Sequence, residues 1–151
     1  MPRRDISMTG AEIDALLSSA RDLQVATNGR DGYPHLTTLW YAVIEGLVTF
    51  RSFTKSQRIV NLRRDPRITV LVEAGDTYGE LRGVMIQGTA ELDADPARVM
   101  ATYLAVLRKD EPDTTPEAVD SMFGRFRDKN TVVTVVPDRI ISWDHRKSGG
   151  Y

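Results

Sequence analysis

The chain has 151 residues, of which 41% are hydrophobic and 27% are charged, and its formal net charge is −1. The length suits one domain with its own core, and the near-zero charge excludes a polycation that coats nucleic acid or anionic membranes. The absence of cysteine excludes disulfides, thiolate metal sites and cysteine nucleophiles. Any anion that the protein binds must therefore be held by a local cluster of cations.

The beginning of the chain, MPRRDISMTGAEIDALL, contains no continuous apolar stretch. No segment approaches the about 18 apolar residues that are needed to span a bilayer. We therefore expect a soluble cytoplasmic protein without a membrane partner. The sequence has no internal repeat, low-complexity segment or Gly/Ser linker, which predicts a single domain over residues 1–151.

The hydrophobic pattern changes from helical to alternating in the first third of the chain. Thr9 and Glu12 fit a capping box, and the apolar residues after them recur at helical spacing. The sequence NGRDG at 28–32 is a strong signal for a hairpin between two strands. The elements predicted here are a helix over roughly residues 10–20 and strands over 23–27, 33–44 and 47–53, with a tight turn at 45–46.

Short helices and further strands are predicted in the rest of the chain. A short helix ends at Asp65-Pro66, and Asp95-Pro96 and Pro116 open two more helices. Gly83 and Gly88 lie inside a predicted strand, which indicates a bulge or the close approach of another group. The remaining predicted strands are 67–74, 81–92 and two short ones, TVVTVVP and RIISW, joined by a turn around Pro137-Asp138.

The order of these elements predicts the fold class. Parallel βαβ units would need a helix between nearly every pair of strands, whereas most strands here follow one another directly. We therefore predict a mainly β protein of the α+β class, in which an antiparallel sheet closes into a barrel with short helices at its edges.

Cations and hydroxyl groups gather in RSFTKSQR, residues 51–58, where a predicted strand becomes the short middle helix. The first turn of a helix presents unpaired N–H donors and the positive end of its dipole. Lys55 and Arg58 oppose that dipole, and a bound phosphate would remove the conflict. The alternative is a solvated charged face with Ser or Thr as a simple cap. No glycine-rich phosphate loop is present, which disfavours nucleoside triphosphates and NAD.

Three segments resemble one flavoprotein superfamily: HLTTLWYAVIEGLVTFRSFTKSQRIVNLRRDPRITVLVE (35–73), GVMIQGTAEL (83–92) and RIISWDHRK (139–147). A strand–turn–strand unit followed by S-x-T-K-x-x-R and N-L-x-x-D-P-R is similar to the pyridoxamine 5′-phosphate oxidase-like split-barrel superfamily. The ending S-W-D-H-R-K resembles more narrowly the actinobacterial branch that uses the deazaflavin coenzyme F420. Members often have leucine where this chain has Ser148.

The resemblance implies a homodimer of six-stranded split barrels, with two cofactor sites that lie across the subunit interface. The cofactor implied is F420, with FMN as the alternative. The residues implied at its phosphate are Arg51, Ser52, Lys55, Gln57 and Arg58. Those implied at its ring are Pro34, Leu36, Thr37, Thr38, Thr49 and Gln87. Trp143 and Arg146 would approach the cofactor from the other subunit.

The resemblance also implies an F420-dependent oxidoreductase that passes hydride to a small conjugated or quinone-like acceptor. An FMN-binding oxidase or reductase of the same architecture and an F420 carrier without turnover are the alternatives. No catalytic acid or base stands out, which agrees with chemistry carried by the cofactor. His35 and His145 lack a motif such as H-E-x-x-H, so we expect no metal site.

Overall fold

A computed structural model describes residues 4–149, so that Tyr151 in the C-terminal tail lies outside the described residues. The helices are α1 (Gly10–Ser19), α2 (Gln57–Arg64), α3 (Pro96–Leu107) and α4 (Pro116–Phe123). The strands are β1 (Asp22–Asn28), β2 (Pro34–Trp40), β3 (Ala42–Ile44), β4 (Leu47–Phe53), β5 (Arg67–Ala74), β6 (Arg82–Asp93) and β7 (Asn130–Asp144). Short 3-10 turns cover Tyr78–Glu80, Gly124–Phe126 and His145–Ser148. None of the described helices is long and apolar enough to cross a membrane.

The seven strands that the structure describes form one antiparallel sheet in the order β2-β1-β5-β6-β7-β4-β3. The two edge strands, β2 and β3, are separated along the chain by Tyr41 alone. Consecutive Cα atoms lie about 3.8 Å apart, so the two edges of the sheet meet at this residue and the sheet must curl. The predicted α+β split barrel is confirmed, with seven strands instead of six.

The single strand predicted over 33–44 is wrong, because the chain breaks at Tyr41 into two strands. The pairing of β2 with β1 ends at Trp40, and the pairing of β3 with β4 begins at Ala42. The Tyr41 side chain is fully buried, and its hydroxyl donates to the Leu17 carbonyl of α1. Tyr41 therefore carries the chain from one edge of the sheet to the other.

The two C-terminal strands predicted around Pro137-Asp138 are also wrong, because β7 runs through this point without a turn. It pairs with β6 on both sides, with a register shift at Gln87/Gly88. Gly88 lies opposite Pro137 and Gln87 opposite Arg139, so Asp138 is the extra residue of a bulge. Such a bulge accommodates a proline, which has no N–H group for the ladder.

Two hydrophobic cores share the β7 strand. Inward-facing residues of the sheet, such as Val25, Val70 and Ile86, fill the larger core inside the barrel. A smaller core around Val99 and Val132 joins α3 and α4 to the other face of β7. The first half of β7 is accordingly buried on both faces, and the α3–α4 pair lies against the barrel near β4.

The two glycines of β6 occupy the places predicted for them. Gly83 lies opposite Trp143 in the ladder, and a Cβ atom at Gly83 would stand 2.4 Å from Cζ2 of the indole. At Gly88, which lies at the bulge, a Cβ atom would stand 2.2 Å from the Val136 carbonyl oxygen. The prediction of a bulge and of close approach by another group is therefore confirmed.

We expect Gly83→Ala to destabilise the protein by about 1–3 kcal/mol, because the added methyl group forces the Trp143 ring off the sheet. The free energy of unfolding, measured in urea, checks this. Gly79→Ala is the matched control, since nothing lies within 4 Å of a Cβ atom there. A Gly83→Ala variant that is as stable as this control would contradict the contact.

Candidate functional site

A cluster of hydrogen-bonded side chains forms where β4 leads into α2. Arg58, in the first turn of α2, donates from Nη1 to Ser52 Oγ of β4 (2.7 Å) and from Nη2 to Thr37 Oγ1 of β2 (2.8 Å). Ser52 Oγ lies 2.9 Å from Ser56 Oγ. These contacts join three elements of the barrel at one point.

The α2 helix begins without a side-chain cap. Ser56 occupies the N-cap position, but its hydroxyl makes no hydrogen bond to the helix N–H groups and contacts Ser52 instead. The first turn of α2 contains no acidic residue. The N–H donors and the positive end of the dipole are therefore left for a ligand or solvent. Of the two cations predicted to oppose this dipole, Arg58 lies in the first turn, whereas Lys55 precedes the cap.

Arg51 of β4 adds a second guanidinium to the cluster. Its Cζ atom lies 4.3 Å from the centroid of the Tyr103 ring. Burial lowers the pKa of Arg51, and the pKa of Arg58 is lowered by burial and by the charge of Arg51. Within residues 4–149 neither arginine forms an ion pair, and the buried Nε of Arg58 has no hydrogen-bond partner. The two positive charges therefore have no neutralising carboxylate in the described part of the chain.

A pocket of about 420 Å³ opens at this cluster. Its polar lining consists of Thr38, Arg51, Ser52 and Arg58. Its apolar lining consists of Leu39, Trp40, Phe53, Tyr103, Val106, Leu107 and Phe123. A pocket that combines cations with aromatic and aliphatic side chains suits an anionic group attached to an apolar body.

The structure brings the predicted site residues Thr37, Thr38, Arg51, Ser52 and Arg58 together at the pocket or its hydrogen bonds. Two further predicted residues flank the start of α2. Lys55 is exposed in the turn that precedes the cap. Gln57 donates to Asn61 Oδ1 (2.8 Å), and the buried Asn61 donates in turn to Thr27 of β1.

Pro34, Leu36 and Gln87 lie apart from the cluster, on the outward face of the sheet. The ladder pairings place Leu36 in one row with Ala26, Thr69 and Gln87 across four adjacent strands. Pro34 and Gln87 also line a groove of about 560 Å³. This face lies beside the cluster because β2 contributes to both.

Three predicted residues do not join the cluster within one chain. Thr49 is buried, and its hydroxyl donates to the Leu47 carbonyl of its own strand. Trp143 covers Gly83 on the outward face. Arg146 donates to the buried carboxylate of Asp144 from Nε (2.9 Å) and from Nη2 (2.7 Å). The expected approach of Trp143 and Arg146 to a partner's cofactor stays a prediction.

Tyr103 and Phe123 are site residues that the sequence did not single out, and Ser56 was part of the RSFTKSQR cluster but was not predicted to contact the cofactor. Tyr103 and Phe123 have the helical spacing of ordinary core residues, and only the packing of α3 and α4 brings them to the pocket. Ser56 could have been found as a cap candidate directly before the basic helix start.

The sequence profile of the pyridoxamine 5′-phosphate oxidase family matches residues 9–135. The chain belongs to this family. The resemblance to the split-barrel superfamily is thereby confirmed, whereas the narrower resemblance to the F420 branch, taken from residues 139–147, stays a prediction. A search among curated proteins found no match to this family member.

Solved structures of three proteins illustrate the likeness. A conserved hypothetical protein from Mycobacterium tuberculosis is 43% identical over 99% of this chain and 93% of its own, with a TM-score of 0.87. An F420 reductase is 24% identical over 85% of this chain and 94% of its own, with a TM-score of 0.66. A FAD-binding protein from Mesorhizobium loti is 18% identical over 90% and 92%, with a TM-score of 0.62. The likeness to the last two shows a shared fold.

We expect Asp144→Asn to destabilise the protein by about 1–3 kcal/mol near neutral pH, because the hydrogen bonds from Arg146 lose their charged acceptor. Hydrogen bonding from Arg146 lowers the pKa of Asp144 below its ordinary value of 3.8, although burial opposes this. The ionised carboxylate therefore stabilises the folded chain above that value, and the contribution is lost as the pH falls through the folded pKa.

Urea unfolding of the wild type and the variant across a pH series checks this expectation. The difference in unfolding free energy between the wild type and Asp144→Asn should be largest near neutral pH and should decrease below the ordinary aspartate pKa of 3.8. Asp113→Asn is the control, since Asp113 is exposed and has no ion pair within the described residues. A difference that is constant with pH would contradict the role of the charge.

Proposed function

We propose that this family member binds a flavin-type redox cofactor, F420 in the first place, through the phosphate at Arg51, Ser52 and Arg58. It would then act as an F420-dependent oxidoreductase that transfers hydride to a small conjugated or quinone-like acceptor. The observation that carries the proposal is that Arg51 and Arg58 both line the pocket without a carboxylate partner in the described residues. The buried Nε of Arg58 also lacks a hydrogen-bond acceptor. The shared fold with an F420 reductase and a FAD-binding protein supports it.

The residues present fit a phosphate group. The planar guanidinium group of arginine presents donors in a geometry that matches phosphate oxygens. Hydrogen bonds to Ser52 and Thr37 already fix the orientation of the Arg58 guanidinium. The uncapped N–H groups of α2 would add neutral donors at the positive end of the helix. Lys55, exposed in the preceding turn, would add a third cation.

The outward face of β2 would hold the ring of the cofactor beside this phosphate site. When bound, a reduced deazaflavin or flavin supplies the hydride. The chain's own residues would bind the phosphate, orient the ring against Leu36 and Thr38, and exclude water with the apolar wall of α3 and α4. The residues that line the pocket include no Asp, Glu or His, so the contribution of the protein there is positioning and electrostatics.

FMN is the second candidate cofactor, because the compact cluster suits a single phosphate monoester. An F420 carrier without turnover would need the same cluster. Titration of the purified protein with F420 and with FMN, followed by fluorescence, separates the two cofactors. Reduction of a panel of quinones, enones and tetrapyrroles by the F420-loaded protein separates an enzyme from a carrier.

We expect Arg58→Met to weaken binding of the preferred cofactor by about tenfold to a hundredfold, because charge-assisted hydrogen bonds to the phosphate are lost. Arg63→Met is the matched control. It removes the same charge from the same helix, but Arg63 is exposed and lies outside the pocket lining. Equal affinities of the two variants, with the fold intact by circular dichroism, would remove the phosphate site from this cluster.

We also propose that two copies associate through the outward sheet face. Leu36 is 66% exposed and Trp40 is 46% exposed on the edge strand β2. The next row of the ladder runs from Thr38 through Gln24 to Leu71, Met85 and Ile141. Such a continuous and partly apolar face is typical of a protein interface. The predicted homodimer would place this face, and the ring site on it, between the subunits.

Leu36→Asp should convert the dimer into a monomer, because the partner would bury an unpaired carboxylate. Light scattering after size-exclusion chromatography measures the mass directly. Val60→Asp is the control, since Val60 is 45% exposed on α2 and does not belong to the sheet face. A wild-type protein that is monomeric at all concentrations tested would overturn the dimer.

A further inference from the structure

We infer that Tyr103 is a positioning residue of the phosphate site: its ring holds the guanidinium of Arg51 at the pocket and leaves the charge available for an anion. The inference rests on the proposed function, because it concerns the cations that would bind the cofactor. It assigns the α3–α4 pair a role in the electrostatics of the site, in addition to its packing against the barrel.

The Tyr103 ring is itself held firmly in place. It is almost fully buried, and it stacks on Phe123 of α4 with the ring centroids 4.5 Å apart and the planes 10° from parallel. The amide of Asn130 lies 3.5 Å from the Tyr103 hydroxyl. Contacts from α4 and from the start of β7 therefore fix the surface on which the guanidinium of Arg51 rests.

Arg51 has only this aromatic partner within residues 4–149, where its side chain makes neither an ion pair nor a side-chain hydrogen bond. A carboxylate at this place would neutralise the cation and occupy its donors, and an incoming anion would have to displace it. An aromatic face attracts the cation through its quadrupole while the in-plane N–H donors stay free. The contact with the ring therefore holds Arg51 without a carboxylate that a phosphate would have to displace.

Arg58 adds a second positive charge at the same pocket. Both guanidinium groups line it, where like charges repel each other. Burial lowers the pKa of Arg58, and the charge of Arg51 lowers it further as the smaller effect. The quadrupole of Tyr103 offsets part of that repulsion and keeps both cations facing the same pocket.

Two substitutions separate the aromatic face from the hydroxyl group. Tyr103→Phe keeps the ring, and Tyr103→Leu keeps an apolar side chain without a π face. We expect Tyr103→Phe to bind inorganic phosphate and the preferred cofactor within about twofold of the wild type, and Tyr103→Leu to bind them about five- to thirtyfold more weakly. In an Arg51→Met background, Tyr103→Leu should cause no further loss, because the cation that it positions is gone.

A measurement without ligand tests the contact itself. The Nε–H resonance of Arg51 should carry a ring-current shift in the wild type and in Tyr103→Phe, and should lose it in Tyr103→Leu. An unshifted resonance in the wild type, or an equal loss of affinity from Tyr103→Leu in the Arg51→Met background, would overturn the role of Tyr103. Failure of the wild type to bind phosphate, F420 or FMN would overturn the proposed function instead.

Discussion

Closure of the sheet is the constraint on which the candidate site depends. Thr37 belongs to one edge strand, whereas Ser52 belongs to β4, next to the opposite edge. Arg58 donates to both hydroxyl groups, which is possible only because the two edges meet at Tyr41. The Arg58 side chain at the pocket thus also links the two edges of the sheet through hydrogen bonds. The geometry of the site therefore depends on the closure of the barrel.

The two arginines of the site differ from several other arginines of the chain in lacking a carboxylate partner within the described residues. Elsewhere in the described residues, arginines such as Arg98 and Arg146 pair with carboxylates. Arg51 and Arg58 are partly buried without such partners, and burial disfavours their charged forms. A pair of partly buried positive charges without a carboxylate to neutralise them is the kind of exception found at functional sites. This contrast, more than the number of cations, distinguishes the cluster from a solvated basic surface.

Local signals predicted most of the elements, and long-range pairing decided the rest. The bounds of β4 and β5 follow from β-branched content and turn residues, and the basic helix start was visible in RSFTKSQR. The break at Tyr41 was not visible, since an unbroken apolar run, LWYAVI at 39–44, continues through it. Pro137-Asp138 has the composition of a turn, and only pairing with β6 makes it a bulge. Tyr103 has the spacing of a core residue, so its contact with Arg51 needed the packing of α3.

The phosphate cluster alone cannot select between the two candidate cofactors, because both present a phosphate group to the same donors. Selectivity must arise where the cofactors differ, which is along the sheet face and in the anionic tail of F420. Arg67 forms a salt bridge with Asp65, and Arg64 donates a hydrogen bond to the Asn28 carbonyl. Arg139 lines the neighbouring groove with Gln87 and has no ion pair in the described part of the chain. A cofactor on the sheet face would therefore meet a cation that no carboxylate in the described part of the chain neutralises.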